Sequence, residues 1–197
     1  MKTLVIFGAA RQKGHTKQMV DLFLEHLDGE KEIIDAYRTD VKPCMDCRYC
    51  WKTKACAIKD GMQEIYQKIE AADNIVLASP MYFHSVTGRM KVLIDRLQVY
   101  WAGHVRNDMP EKFTKKGAIL MVGGAPAFEN QFLGGELVLK NLLNDLSTEF
   151  LGEVCLPNSD RDSLETRPDL AEAVVKLAEK MNSYECRGIN RDIQLAC

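Results

Sequence analysis

The sequence predicts an α/β fold, a doubly wound parallel sheet of five strands with helices on both faces. Three observations carry this. Strand-length apolar runs alternate with helical periods five times; glycine or Ser-Pro turns follow the first, third and fourth runs; and no repeat, low-complexity stretch or linker divides the 197 residues. With 46 % hydrophobic residues, the chain can fill one core.

Residues 4–7, all apolar, read as a buried first strand, in a segment too short for a secretory leader. Residues 16–27 follow with Met19, Leu22, Phe23 and Leu27 at helical spacing. Residues 32–37 give a short second strand. Asp60 caps a helix reaching about residue 71, with Met62, Ile65, Tyr66 and Ile69 on one face. Residues 75–78 form a third strand ending at Ser79-Pro80, and a helix is expected over 86–100 with an acceptable start at Ser85. Its inward positions are Met90, Leu93, Ile94 and Leu97. Residues 118–122 form a fourth strand, ended by Gly123-Gly124. A helix over 137–146, a strand over 150–156 and a helix over 168–182 complete the set. The expected organisation is one domain over 1–183, a cysteine-bearing insertion at 42–60 and a patternless tail at 184–197.

Composition excludes some partners. The net charge is −2, from 26 basic and 28 acidic residues, which points to neither nucleic acid nor an anionic membrane. No apolar run is long enough to span a bilayer. Seven cysteines without an export signal predict a cytoplasmic protein with reduced or metal-bound thiols rather than a disulfide framework.

In a doubly wound sheet, ligands bind beyond the carboxyl ends of the strands, under either the Rossmann or the flavodoxin strand order. The first loop, residues 8–16, opens a helix whose amides and positive end favour a phosphate. Arg11 adds a forked cation, Thr16 a hydroxyl and His15 a ring donor. The Walker spacing fails because His15 stands where its lysine belongs, and the dinucleotide pattern fails because Ala10 replaces the second glycine. A single terminal phosphate remains as the ligand, with an ordinary glycine turn as the alternative. After the third strand, Pro80, Met81, Tyr82, Phe83 and His84 offer a platform for a planar ring, or merely cover the sheet edge. After the fourth, Gly123 and Gly124 allow close backbone approach.

Cys44, Cys47, Cys50 and Cys56 form a C-x2-C-x2-C-x5-C run, crowded by Lys42, Arg48, Lys52, Lys54 and Lys59. Such spacing costs little loop-closure entropy when the thiols gather round one centre. Three readings stand: a [4Fe–4S] cluster held by four thiolates, structural zinc, which usually takes two separated C-x2-C pairs, or free and redox-active thiols. Cys155 falls in the fifth strand as a core residue, while Cys186 and Cys197 read as plain tail thiols.

Taken together, these residues resemble the iron–sulfur flavoproteins, within the wider NADPH-dependent FMN reductase group. The likeness rests on Gly8, Arg11, Gly14, His15 and Thr16; the cysteine run and Lys59-Asp60-Gly61-Met62; Ser79, Pro80, Tyr82 and Phe83; and Lys91, Ile94, Asp95 and Arg96. It covers about residues 1–125 well. The resemblance implies a flavodoxin-like sheet of order 2-1-3-4-5 with bound FMN. Its phosphate would lie against residues 9–16, and its ring near Pro80 to His84 and Gly123-Gly124. Ala9 departs from the serine usual there and removes one hydroxyl contact. The resemblance also favours the cluster for the four cysteines, and implies a homodimer or homotetramer with flavins near subunit interfaces.

The leading expectation is an oxidoreductase passing electrons between a [4Fe–4S] cluster, FMN and a ferredoxin-like protein or small-molecule acceptor, with no side chain required as acid or base. The cysteine loop, which follows strand two, is expected on the same side of the sheet as the cofactor loops. The alternative is an NAD(P)H-dependent flavin or quinone reductase using FMN only. There Trp101, His104 and the basic segment 112–116 either border the acceptor site or form a solvated loop. A non-catalytic redox or metal sensor is the third reading.

Overall fold

The alternating runs form a five-stranded, wholly parallel sheet of order β2-β1-β3-β4-β5 in the computed structural model, which describes residues 1–110 and 113–184. The strands are β1 (Lys2–Phe7), β2 (Glu30–Asp35), β3 (Asn74–Pro80), β4 (Lys115–Val122) and β5 (Thr148–Leu156). Buried on both faces, β1, β3 and β4 read as continuous apolar runs. The expected order is the observed one.

Helices α1 (His15–Glu25) and α7 (Pro168–Ser183) cover one face, packing Met19, Phe23, Val174 and Met181 onto Val5, Phe7, Val76 and Leu120. On the other, α2 (Met62–Ala71), α3 (Gly88–Arg96) and α6 (Leu133–Asp145) pack Ile65, Met90, Leu93 and Leu139 onto Leu4, Ile6, Leu77 and Ile119. Gly61 takes the N-cap position of α2, and Asp60, one residue before it, accepts from the Met62 amide at 3.1 Å.

Two expectations need correction. The helix expected over 86–100 is three helices, α3, α4 (Gln98–Trp101) and α5 (Gly103–Arg106). Thr87 rather than Ser85 caps α3, because its hydroxyl accepts from the Met90 amide and donates to the Gly8 carbonyl at 2.7 Å. The break after Arg96 follows a tightened turn, Leu97 N–H donating to the Ile94 carbonyl at 2.9 Å. Helix α6 starts four residues before the expected 137, since Gly134 and Gly135 form its first turn against the loop after β3.

Among the described residues, no helix is long and apolar enough to cross a membrane. The expected tail from residue 185, with Cys186 and Cys197, lies outside the described residues, as does Lys112.

Candidate functional site

A cleft of about 780 Å³ opens beyond the carboxyl ends of the strands, within the size range of small-molecule sites. Residues 9–16 form one wall, Pro80, Met81 and Tyr82 another, and Val122, Gly124, Ser159 and Asp160 the third. The phosphate loop is held from behind: Gly8 N–H donates to the Ala78 carbonyl at 2.7 Å, and Gln12 Nε2 to Asp35 at 2.8 Å. At the start of α1, Gly14 takes the N-cap position with an extended backbone, and no side chain caps the first-turn amides. No acidic residue sits in that turn either. Uncapped amides at a positive helix end form a ready anion site. Thr16 is buried there, Arg11 is exposed over it, and His15 Nδ1 lies 3.1 Å from Gln18 Oε1.

The cleft therefore brings together nine of the expected residues: Ala9, Arg11, Gly14, His15, Thr16, Pro80, Met81, Tyr82 and Gly124. The other three lie outside its lining. Phe83 is 99 % exposed, and both it and His84 have left-handed backbones, with φ of 47° and 64°. Gly123 sits behind, against Gln131 and Phe132. Ser159 and Asp160 were missed. The loop after β5 is bonded to the loop after β4: Asn158 N–H donates to the Ala125 carbonyl at 2.8 Å and Ser159 N–H to that of Gly123 at 2.9 Å. That pairing sets Asp160 beside Gly124. Applying the strand-end rule to the fifth strand as well would have found them.

The four cysteines of the run line one recess of about 30 Å³, together with Trp51, Asp95, Arg96, Gln98 and Val99. Asp46 and Arg48, both left-handed with φ of 47° and 56°, curl the chain into a 3-10 turn at Tyr49–Trp51. Cys44 and Cys47 are exposed, Cys50 and Cys56 half-buried, and none is in a disulfide. Burial pushes the Cys50 thiol up, and negative charge on Cys44, Cys56 or Cys47 would push it further. Among the described residues no three potential ligands are close enough for a single metal ion.

The recess and the cleft share no lining residue. Thr87, capping α3, bonds to Gly8 behind the phosphate loop, whereas Asp95 and Arg96 at the other end of α3 line the recess. The nine residues of α3 thus span about 13 Å between the two regions. The loop starts after β2 and is tied to the far end of α3 through Arg96.

The segment considered for an acceptor site is pinned elsewhere. Lys115 Nζ donates to the Glu70 and Ala72 carbonyls at 3.2 and 2.6 Å, and buried Lys116 to those of Met181 and Tyr184 at 2.5 and 3.1 Å. Trp101 packs against Trp51, and His104 Nε2 lies 3.6 Å from Asp145. None of these lines the cleft. Lys115 and Lys116 begin β4, at the sheet edge opposite the carboxyl ends of the strands. Cys155, expected in the core, is partly buried in β5, and burial pushes its thiol up to about 12.

Both ends of the cysteine loop meet a buried ion pair, Asp60 with Arg96. Burial pushes the Asp60 carboxyl up, but hydrogen bonds from Arg96 and the Lys42 and Met62 amides outweigh it and hold it below the ordinary 3.8. A depressed folded value means stability that is present above 3.8 and lost as pH falls through the folded value. Asp60→Asn is therefore expected to be several kcal/mol less stable at neutral pH, since it strands a buried cation. In thermal melts the gap to wild type should narrow below about pH 4. A gap independent of pH would show that the loss does not come from the charge of Asp60.

A profile of NADPH-dependent FMN reductases matches residues 1–133. The chain belongs to the NADPH-dependent FMN reductase family. An iron-sulfur flavoprotein of Archaeoglobus fulgidus is 34 % identical over 107 residues, 53 % of this chain and 48 % of that protein. One of Methanosarcina thermophila is 31 % identical over 128 residues, 64 % of each chain. The chain thus spans between about half and two thirds of the length of these relatives. The NAD(P)H:quinone oxidoreductase of Methanothermobacter marburgensis superposes with a TM-score of 0.72 at 16 % identity, over 95 % of this chain and 98 % of that one. Family membership accords with the flavin-dependent oxidoreductase expected from the sequence, and the superposition supports the flavodoxin-like fold.

Proposed function

We propose that this NADPH-dependent FMN reductase family member is an iron–sulfur flavin oxidoreductase, with FMN in the cleft and a [4Fe–4S] centre on Cys44, Cys47, Cys50 and Cys56. The observation that carries this is the convergence of four unpaired thiols on one recess in a chain with an anion-ready flavin cleft. When bound, the flavin supplies one- and two-electron exchange and the cluster one-electron exchange.

The chain's own residues bind, orient and shield. The first-turn amides of α1, Thr16 and Arg11 would hold the FMN phosphate. Pro80 to Tyr82 and the Gly124 backbone would flank the ring, with Asp160 a carboxylate acceptor at the same wall. Exposed Phe83, Phe128, Leu133 and Leu137 support a second copy of the chain packing near the cleft, as a homodimer or a higher homo-oligomer. The basic loop, carrying Lys42, Arg48, Lys52, Lys54 and Lys59 against Asp46 and a buried Asp60 already paired with Arg96, suits a ferredoxin-like one-electron carrier; a small-molecule acceptor is the other choice. The family description favours one second reading, NAD(P)H-dependent reduction of flavin or quinones by FMN alone.

Flavin and iron content of anaerobically prepared protein decides between them. The proposal expects one flavin and about four irons per chain, one for each thiolate. Flavin without iron after anaerobic reconstitution establishes the FMN-only reading, and absence of both overturns the two together.

A further inference from the structure

The KDGM and IDR segments, far apart in sequence, meet in one place. Arg96, 1 % exposed, ends α3 inside the recess wall. Its Nη1 donates to the Lys42 carbonyl at 2.8 Å and to Asp60 Oδ2 at 2.7 Å. Its Nη2 donates to Asp60 Oδ1 at 3.1 Å and to the Ile58 carbonyl at 3.3 Å. Asp60 Oδ2 in turn accepts from the Lys42 amide at 2.9 Å. One guanidinium thus ties residue 42, where the cysteine loop begins, to residues 58 and 60, where it ends. Arg106 Nη1 bonds to the Cys50 carbonyl and fastens the middle of the loop to α5.

The third nitrogen is unspent. Arg96 Nε is buried without a partner, an arrangement that costs free energy unless something accepts from it. It belongs to a side chain lining the same recess as the four thiols. Tyr66, whose hydroxyl donates to the Arg96 carbonyl at 2.7 Å, adjoins Cys56 as well. A buried, fixed donor and cation beside thiols is what a thiolate-bound centre uses to hold negative charge.

We propose that Arg96 is the positioning residue of the cysteine loop: it closes both loop ends onto α3 and offers Nε–H to a thiolate sulfur of the centre bound there. The inference rests on the iron–sulfur reading above for its second half only. The loop clasp itself requires no metal.

Arg96→Lys keeps the charge but loses the fork and Nε–H. In the full-length, metal-free protein, alkylation of the half-buried Cys50 and Cys56, mapped by mass spectrometry with exposed Cys44 and Cys47 as the internal reference, should be about 10-fold faster than in wild type. In the iron-loaded protein, iron should be lost to a chelator about 10-fold faster, and the iron–sulfur potential should fall, with flavin content unchanged. Wild-type alkylation rates overturn the clasp, and an unchanged potential overturns the donor role. If Arg96→Lys does not accumulate, Asp60→Asn opens the same clasp with little change in volume, and a wild-type alkylation rate there overturns it equally. If the wild-type protein itself takes up no iron, the electron-transfer reading and the donor role fall together, while the alkylation rates still decide the clasp.

Discussion

Cys50→Ser is expected to abolish the iron–sulfur signal of the anaerobically prepared protein while flavin stays bound at the wild-type level. Cys50 lines the recess, half-buried, with its carbonyl held by Arg106 and its thiol pushed up first by burial and then by the other three cysteines. A serine hydroxyl is not deprotonated at neutral pH and is a poor soft ligand, so three thiolates would have to hold the centre alone. Flavin should be indifferent, because the cleft shares no lining residue with the recess. Iron and flavin are counted on the same preparation. Full iron retention would remove Cys50 from the ligand set, and parallel loss of flavin would mean the two regions are coupled through folding. Cys155→Ser is the control, since that thiol lies in β5 away from the recess, and neither count should change.

Gly134→Ala is expected to destabilise the fold by about 1–3 kcal/mol and to weaken flavin binding by about 10-fold. Helix propensity alone points the other way, since alanine gains about 1 kcal/mol over glycine inside a helix. The geometry overrules it. A Cβ at residue 134 would stand 2.0 Å from the His84 carbonyl oxygen, which is backbone and cannot swing aside. The loop that must yield is already strained, with Phe83 and His84 both left-handed. It is also tightly tied, Tyr82 and Ser85 exchanging backbone bonds at 2.8 and 3.2 Å and Met81 N–H donating to the Val122 carbonyl at 2.7 Å. Moving it displaces Met81 and Tyr82 from the cleft wall. Gly135→Ala is the contrast: its neighbours are the Met81 and Met121 sulfurs at 2.8 and 3.0 Å, which flexible side chains can withdraw. Thermal melts and flavin titration of both variants test the pair. A Gly134→Ala protein as stable as wild type, with normal flavin affinity, would refute the packing.

Both variants act where the sequence was only partly legible. The phosphate loop was readable because its chemistry is local: a strand, a glycine turn and an uncapped helix start within residues 4–16. Asp60 was readable as an acceptor for the first amide of α2 for the same reason. Its second role, as partner to Arg96, was not, because 36 residues separate the two. Helix periodicity carried through 86–100 without warning, since Met90, Leu93, Ile94 and Leu97 keep their spacing whether or not the axis breaks after Arg96. The aromatic pair was half legible. Tyr82 reaches the cleft, but a left-handed turn at Phe83, accommodated by Gly134 across the gap, sends the next ring into solvent. Asp160 shows the same limit, because it reaches the cleft only through backbone bonds between the loops after β4 and β5.

By itself the sequence determined the parallel alternation, the anion-binding turn and a thiol run able to gather at one centre. Each depends on residues within a turn or two of one another, where periodicity, glycine and short loops leave the chain few choices. The tertiary structure alone decided where those thiols face, how far they stand from the cleft and which distant groups close each site. Those outcomes depend on close approach between segments tens of residues apart, and it is the packing of α3 and α6 against the sheet that selects them.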